Sequence, residues 1–121
     1  MTITLWIVEG LLGLIFVITG SFKLFQTKEK VIASGGTWAG DFKPGVIKTI
    51  AGIELISGVL VIVPTLLGHG HYLTSIGAAS IVIIMTGAIY THIKRKEFQH
   101  AIINCVFLLM ALFVAHAFRP F

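Results

Sequence analysis

The longest stretch of this chain without Asp, Glu, Lys or Arg runs from Leu55 to Ile93. One helical span of a bilayer needs roughly 20 apolar residues, so this stretch can hold two spans joined by a short turn. Over the whole chain of 121 residues, 56% are hydrophobic and 12% are charged, whereas soluble domains carry about 25% charged residues. A chain this small cannot hide so much apolar surface in a water-facing core. The sequence therefore predicts an integral membrane protein.

Proline and polar residues divide the chain further, and we predict an all-α, four-helix transmembrane bundle that forms one domain. The spans are expected at about residues 3–25, 44–63, 71–93 and 98–118. Pro44 suits the first turn of the second span, and Pro64 is predicted to end it, because proline cannot donate the backbone hydrogen bond of a helix interior. Residues 26–43 are too polar to cross the membrane. We expect a short helix near residues 27–33 there, followed by a surface loop anchored by Trp38.

Positive charge is distributed unequally between the two ends of the predicted bundle. Eight of the nine basic residues fall on the side of the first and third loops: Lys23, Lys28, Lys30, Lys43, Lys48, Lys94, Arg95 and Lys96. Arg119 falls on the other side. Because cytoplasmic loops carry an excess of Lys and Arg, we predict that loops 1 and 3 are cytoplasmic and that both termini face outward. The net charge of +4 could suggest a nucleic-acid partner. Because the basic residues flank the predicted spans, we expect them to contact lipid headgroups, and we predict no nucleic-acid partner.

The clearest functional signal is Glu54, which the span boundaries place ~15 Å from the cytoplasmic end of the second span. An ionisable side chain at mid-membrane costs at least ~2.5 kcal/mol, so it usually faces the bundle interior and marks a functional position. The other helices carry polar residues near the same level, with a lysine that can reach inward: Thr19, Thr86, Asn104 and Lys23. We predict a polar layer around a Glu54–Lys23 pair. Two interpretations remain open, a contact that holds the helices together and a pocket for a ligand or cofactor.

Two further positions are candidates for function. Glu9 is a second intramembrane carboxylate, ~9 Å below the outer face, with His116 and Arg119 as candidate partners. Two carboxylates at different depths are compatible with a proton pathway. His92 ends the third span at the cytoplasmic surface, where it could be an interfacial anchor or could contact a headgroup or a quinone ring.

Other kinds of chemistry find little support in the sequence. His69 and His71 flank Gly70, but no acidic or cysteine ligand lies in that turn, so we predict no metal site. The single cysteine, Cys105, excludes an internal disulfide and a cysteine-based metal cluster. CxxC, HExxH, a glycine-rich phosphate loop and a Ser/His/Asp arrangement are all missing from the sequence. The sequence therefore favours a protein without catalytic residues, and leaves the question of enzymatic activity open.

Several segments carry a family resemblance. They are ITGSFKLF at the end of the first span, GIELISGVLVIVP in the second, GAASIVIIMTGAIYTHIKRKE across the third, and the apolar fourth span ending in Arg119. In their order and spacing, the chain resembles the DoxX-like family of small bacterial four-helix membrane proteins over nearly its whole length. The resemblance implies a plasma-membrane location, and some members are associated with quinone-linked sulfur oxidation or membrane redox complexes. It strengthens Lys23, Glu54 and His92 as site candidates.

Three functions follow as hypotheses. The first is a non-catalytic subunit or assembly partner of a membrane redox or quinone-linked complex. The second is a lipid- or quinone-binding oxidoreductase component, in which the polar layer holds the head group. The third is a small transporter or proton pathway. The expected partners are membrane lipid and either another membrane protein or a second copy of the chain, and the cofactors considered are a quinone or a bound lipid.

Overall fold

A computed structural model describes residues 3–34 and 37–118 of the chain. Four long helices are present: α1 (Ile3–Phe25), α3 (Pro44–Leu67), α4 (His71–Lys94) and α5 (Phe98–Ala117). Between α1 and α3 lie a short helix α2 (Lys28–Ala33) and a 3-10 helix (Thr37–Asp41). All four long helices are long and apolar enough to cross a membrane, and within the described residues there is no β-strand. The predicted all-α bundle of four membrane helices is confirmed. Arg119, the basic residue expected at the outer side, lies outside the described residues.

The long helices form a closed ring in which α1 packs on α3, α3 on α4, α4 on α5, and α5 returns to α1. The buried core inside the ring draws on all four of them: Leu12, Phe16, Val61, Ala78, Ile81, Met85, Ala111 and Val114. Large apolar side chains such as Ile56, Ile83 and Leu109 lie exposed on the outside. In a membrane these side chains would contact lipid, so the exterior is as apolar as the core.

The second span is longer than predicted, because α3 continues past Pro64 to Leu67. Proline removes only its own N–H, and the residues after it still find acceptors. The helix ends where Gly68 adopts a left-handed conformation with φ +79°. The N–H of Gly68 then donates to Thr65 O and that of His69 to Pro64 O, each at 3.2 Å, which is the Schellman arrangement of a helix C-terminus. The prediction that Pro64 ends the span was wrong, and the turn to α4 is correspondingly short.

The polar segment between α1 and α3 folds back onto one end of the bundle. The predicted short helix is present as α2, and the Thr27 hydroxyl caps it by accepting a hydrogen bond from the Lys30 N–H at 3.2 Å. A small apolar cluster of Val31, Ala39 and Ile47 holds the segment in place. Trp38 is therefore half-buried against the bundle, and a 3-10 helix stands where a loop was predicted. We call this end of the bundle, with residues 26–43 and the 95–97 turn, the basic end.

Lys48 stabilises the C-terminus of α1 from the neighbouring helix. Its Nζ donates to the backbone oxygens of Lys23 at 3.0 Å and Leu24 at 2.6 Å, and also to that of Gln26. These carbonyls have no partner within α1, because the last turn of a helix leaves its acceptors free. A cation at a helix C-terminus is also favoured by the helix dipole. Lys48 therefore has a structural role, whereas the sequence analysis considered it only as one of the positive charges on that side of the bundle.

Gly20 allows α1 and α3 to approach closely. A Cβ atom on Gly20 would lie 2.7 Å from Leu55 N and 3.0 Å from Ala51 O. Real Cβ atoms do not approach backbone atoms this closely, so a larger residue would push the helices apart. The close approach brings the side chains of Thr19 and Lys23 on α1 next to Glu54 on α3.

Candidate functional site

Glu54 lies inside the bundle, 3% exposed, and α1 supplies its partners. Lys23 Nζ lies 3.1 Å and 3.2 Å from the two carboxylate oxygens. The Thr19 hydroxyl donates to Oε2 at 3.4 Å. Thr19 and Lys23 are four residues apart and so lie on the same face of α1. The predicted Glu54–Lys23 pair is present, and its charges are satisfied internally as a buried ion pair requires.

Trp38 covers this pair from the basic end of the bundle. Its ring centroid lies 5.2 Å from Lys23 Nζ, within the range of a cation–π interaction. Its ring also packs edge-on against Phe42 with a centroid distance of 5.9 Å. Sequence reasoning missed Trp38 as a site residue, since only the folding of the 3-10 helix against the bundle brings it there.

His92 is buried, 7% exposed, and was predicted at the membrane surface. It lies seven residues after Met85 on the inward face of α4, which explains its burial. Its Nδ1 lies 2.9 Å from Glu97 Oε1, and its ring stacks on His100 with centroids 5.0 Å apart and planes 19° apart. His92 is therefore part of the interior, and its place as an interfacial anchor is corrected.

The contact between His92 and Glu97 depends on how α4 ends. Lys96 adopts a left-handed conformation with φ 61°, a conformation that costs a non-glycine residue roughly 1–2 kcal/mol. The N–H of Lys96 donates to Ile93 O at 3.0 Å and that of Glu97 to His92 O at 2.7 Å. This C-terminal turn folds Glu97 back over His92. Glu97 is a second site residue that the sequence did not single out.

Glu97 is held by several donors at the basic end. The Thr37 hydroxyl donates to its Oε2 at 2.7 Å, and Arg95 Nε donates to Oε1 at 3.2 Å. The hydrogen bond from His92, followed by that from Thr37, lowers the pKa of Glu97 from 4.5 to about 2. Glu97 is therefore a carboxylate at neutral pH. Arg95 also pairs with Asp41 at 2.6 Å, so the 3-10 helix is tied to the turn after α4.

Two adjoining cavities surround the polar groups, with volumes of about 290 Å³ and about 180 Å³. They share six lining residues: Lys23, Trp38, Glu54, Met85, His92 and Asn104. Ile50, Ile83 and Ile84 line the larger cavity between α3 and α4. Ile83 is 73% exposed on the outer surface, so this cavity reaches the side of the bundle that would face lipid. The smaller cavity lies between α1 and α5, beside Phe16 and Phe107.

The remaining members of the predicted polar layer behave differently from one another. Asn104 lines both cavities from α5, at the level of Glu54. Thr86 does not join the layer, because it lies exposed on the outside of α4 and its hydroxyl donates to Val82 O at 2.8 Å. One residue along a helix turns the side chain by about 100°, and it is the preceding Met85 that faces inward. The prediction for Thr86 was wrong.

Glu9 is also buried, 2% exposed, near the opposite end of the bundle. It accepts a hydrogen bond from the Thr65 hydroxyl, a partner that the sequence did not suggest. Arg119, which the sequence analysis named as a candidate partner of Glu9, lies outside the described residues. Among those residues, Glu9 Oε2 and Thr74 Oγ1 are buried without a hydrogen-bond partner. Buried apolar residues of α1 and α3, Leu12, Phe16 and Val61, lie between Glu9 and Glu54 along these helices. The two carboxylates are therefore separate sites.

Neither carboxylate site has the composition of a metal centre. In residues 3–34 and 37–118, no group of three or more His, Cys, Asp and Glu side chains is placed to hold a metal ion. What converges around Glu54 is a set of hydrogen-bond donors and acceptors with aromatic neighbours. Such a set can orient a polar group by hydrogen bonding.

Comparison with known protein families gives a match over most of the chain. The sequence profile described as the DoxX-like family matches residues 7–114. That range covers most of each long helix and every residue that lines the two cavities. No curated protein sequence and no solved structure matches the chain.

Proposed function

This chain belongs to the DoxX-like family, and from that premise we propose that it is a multi-pass plasma-membrane protein that binds a lipid-soluble molecule inside its helix bundle. The polar head of the molecule, of a quinone or a lipid, would lie beside Glu54, Lys23, His92 and Asn104. Its apolar tail would leave the larger cavity between α3 and α4.

The observation that carries this proposal is the convergence of polar groups from four helices on one cavity with apolar walls. Ligand sites typically combine such walls with a few polar groups that fix orientation. A contact that only held the helices together would use up its polar groups on one another. Here Glu54 and Lys23 satisfy each other, whereas Asn104 lines both cavities and its side-chain amide makes no hydrogen bond within residues 3–34 and 37–118. A polar atom left available in this position favours a ligand.

The size of the cavity limits what it can hold. Its volume of about 290 Å³ is near the lower end of ligand sites, which span roughly 300–1,000 Å³. A ring or a small head group fits this space, whereas a long acyl or isoprenoid chain does not. The acyl or isoprenoid chain of the ligand would leave the cavity between α3 and α4, where Ile83 and Gly87 lie at the outer surface.

The test is to purify the protein from membranes in a mild detergent and to identify bound molecules by native mass spectrometry and solvent extraction. The informative variant combines Lys23→Met with Glu54→Gln, because removing both charges together avoids a lone buried charge. Thr86→Val is the matched control, since its hydroxyl points away from the cavity. We expect a lipid-soluble molecule on the wild type and on the control, and its loss from the double variant. A wild type that carries no such molecule, or equal loading of all three proteins, would contradict the proposal.

A second candidate is a non-catalytic subunit or assembly partner of a membrane redox complex. The chain has one cysteine, Cys105, which lies exposed on the outside of α5, so a dithiol redox centre would have to come from another protein. Cross-linking in intact membranes followed by purification would test this role. A chain recovered only by itself or with copies of itself would count against it.

A proton pathway is the weaker third candidate, because the buried apolar residues Leu12, Phe16 and Val61 lie between Glu9 and Glu54, although Ser57 is a buried polar side chain of α3 in the same interval. Proton flux into liposomes that contain the protein would test it, and a flux equal to that of empty liposomes would exclude it.

For the orientation of the protein in the membrane, we propose that loops 1 and 3 are cytoplasmic, supported by the excess of basic residues there. A reporter fused to either terminus and active inside the cell would overturn that orientation.

A further inference from the structure

Glu9, Thr65 and Thr74 form a second buried polar site near the end of the bundle opposite the basic end, which we call the far end. We infer that this site binds a proton: Glu9 is a neutral carboxylic acid in the folded protein, and one water molecule joins its Oε2 to the Thr74 hydroxyl. Neither Glu9 nor Thr74 lines the cavities beside Glu54. The inference therefore goes beyond the proposed function and does not depend on it.

Three helices bring these side chains to about the same level. The Thr65 hydroxyl on α3 donates to Glu9 Oε1 on α1, so these two residues are in direct contact. A Cβ atom on Gly77 of α4 would lie 3.2 Å from Val61 N of α3, so these two positions are level with each other. Thr74 precedes Gly77 by three residues. Thr65 follows Val61 by four residues, and because α3 and α4 run in opposite directions, both threonines lie about one turn nearer the far end.

Two polar atoms of the site are buried and unsatisfied. Glu9 is 2% exposed and Thr74 is 0% exposed. Within residues 3–34 and 37–118, Glu9 Oε2 and Thr74 Oγ1 have no hydrogen-bond partner. Because α1 and α4 are opposite helices of the ring, these two atoms face the same interior space. A buried water molecule typically bridges roughly two to four such groups, and a hydroxyl and a carboxyl oxygen supply it with partners on both sides.

The surroundings of Glu9 lack the counter-charge that Glu54 has. Lys23 Nζ lies 3.1 Å from Glu54 Oε1, whereas none of the ion pairs in the described part of the chain involves Glu9. A hydroxyl group can donate a hydrogen bond to a carboxylate, but it cannot neutralise the charge. An ionised group buried without a counter-charge is so unfavourable that it becomes neutral instead. For Glu9 the neutral form is the carboxylic acid, with its hydrogen on the unpartnered Oε2.

The titratable groups at the far end are histidines on the elements packed around Glu9. They are His69 in the turn after α3, His71 at the start of α4 and His116 near the end of α5, and all three are exposed. His71 acts electrostatically on Glu9, but an imidazole is not a permanent cation as a guanidinium is. A metal ion also fits poorly, because Ca²⁺ takes roughly six to eight oxygen ligands and this site offers one carboxyl and two hydroxyl groups. A proton needs only one oxygen.

The test is infrared spectroscopy at neutral pH in a detergent without carbonyl groups, because the C=O stretch of a carboxylic acid is separate from carboxylate and amide bands. We expect one such band in the wild type, its loss in Glu9→Gln, and its retention in the matched control Glu54→Gln, which removes the ion-paired carboxylate. Isotope labelling of glutamate at the carboxyl carbon should shift the band without any substitution. A wild type without the band, as an ionised Glu9 paired with Arg119 would give, or a band that survives in Glu9→Gln, would overturn the inference.

Two further measurements separate the proton from the water. Glutamine has nearly the size and the hydrogen-bonding groups of the neutral acid, so Glu9→Gln should unfold at the same concentration of denaturing detergent as the wild type; clearly earlier unfolding would show that a charge had been lost and would overturn the proton. In Thr74→Val the carboxylic acid band should move to higher frequency, because the water loses its second partner, and Thr74→Ser should keep the wild-type frequency. An unchanged band in Thr74→Val would overturn the water bridge.

Discussion

Replacing Lys23 with methionine removes the cation that pairs with Glu54. The carboxylate, 3% exposed, would keep only the Thr19 hydroxyl at 3.4 Å among the described residues. Breaking a buried ion pair by removing one partner costs about 3–5 kcal/mol. The Lys23 side chain is 23% exposed, so the pair is only partly removed from its surroundings, and we expect a cost near the lower limit, about 3 kcal/mol.

The reverse change, Glu54→Gln, should cost less. The amide keeps an acceptor for Lys23, and Lys23 retains its contact with the Trp38 ring at 5.2 Å. The loss is then that of a charged hydrogen bond, about 1.5–3 kcal/mol. With both changes present neither charge is left unpaired, so the double variant should resemble Glu54→Gln alone. The predicted coupling energy between the two positions is therefore about 2–3 kcal/mol, at the upper end of measured couplings.

The measurement is the free energy of unfolding in mixed micelles, from reversible titration with a denaturing detergent. Lys43→Met is the control, because Lys43 is exposed and its side chain caps nothing; it should change the free energy by less than about 0.5 kcal/mol. Additive effects of Lys23→Met and Glu54→Gln, with a coupling below about 0.5 kcal/mol, would refute the reasoning. They would show that the carboxylate finds other partners in the folded protein.

Three further predictions concern glycine positions and pH. Gly20→Ala should destabilise the bundle by about 1–3 kcal/mol through overpacking, whereas Gly10→Ala on the same helix meets nothing within 4 Å and should be neutral or slightly stabilising in the same unfolding titration. Gly68→Ala should cost about 1–2 kcal/mol, because Gly68 has φ +79°; an unchanged unfolding free energy would contradict the role of that turn. The folded pKa of Glu97 lies below its ordinary value, so its contribution to stability is present above pH 4.5 and is lost as pH falls towards about 2. Thermal melts in detergent should show this loss in the wild type and much less of it in Glu97→Gln, and equal pH profiles would refute it.

Much of the fold could be predicted from the sequence, because segments long and apolar enough to cross a membrane have few alternatives to a helix. The bounds of α1, α4 and α5 agree with the prediction to within a residue. The end of α3 differs from the prediction, because Pro64 was expected to end the helix, whereas the helix continues to Leu67 and ends at Gly68. The sequence showed that both Pro64 and Gly68 can end a helix, but it did not show which of the two ends α3.

The candidate site was only partly predictable, for a reason specific to membranes. In a soluble helix the polar face reports which side points outward, but here the outside of the bundle is as apolar as its core. The sequence therefore did not show that Met85 faces inward and Thr86 outward. Glu54 and Lys23 were identified because a charge in lipid is costly whatever its neighbours are. Trp38 and Glu97 reach the site through the 3-10 helix and the turn at Lys96, which are tertiary features.

The larger cavity reaches the outer surface between α3 and α4, where Ile83 is exposed. In a membrane this opening would face lipid, so under the proposed function a ligand would enter from the bilayer and not from water. Its occupancy is then governed by its mole fraction in the membrane, and two compounds of equal intrinsic affinity will differ in apparent potency by their partition coefficients. Titrations in vesicles should accordingly give one binding curve when plotted per lipid, and a family of shifted curves when plotted per volume of buffer.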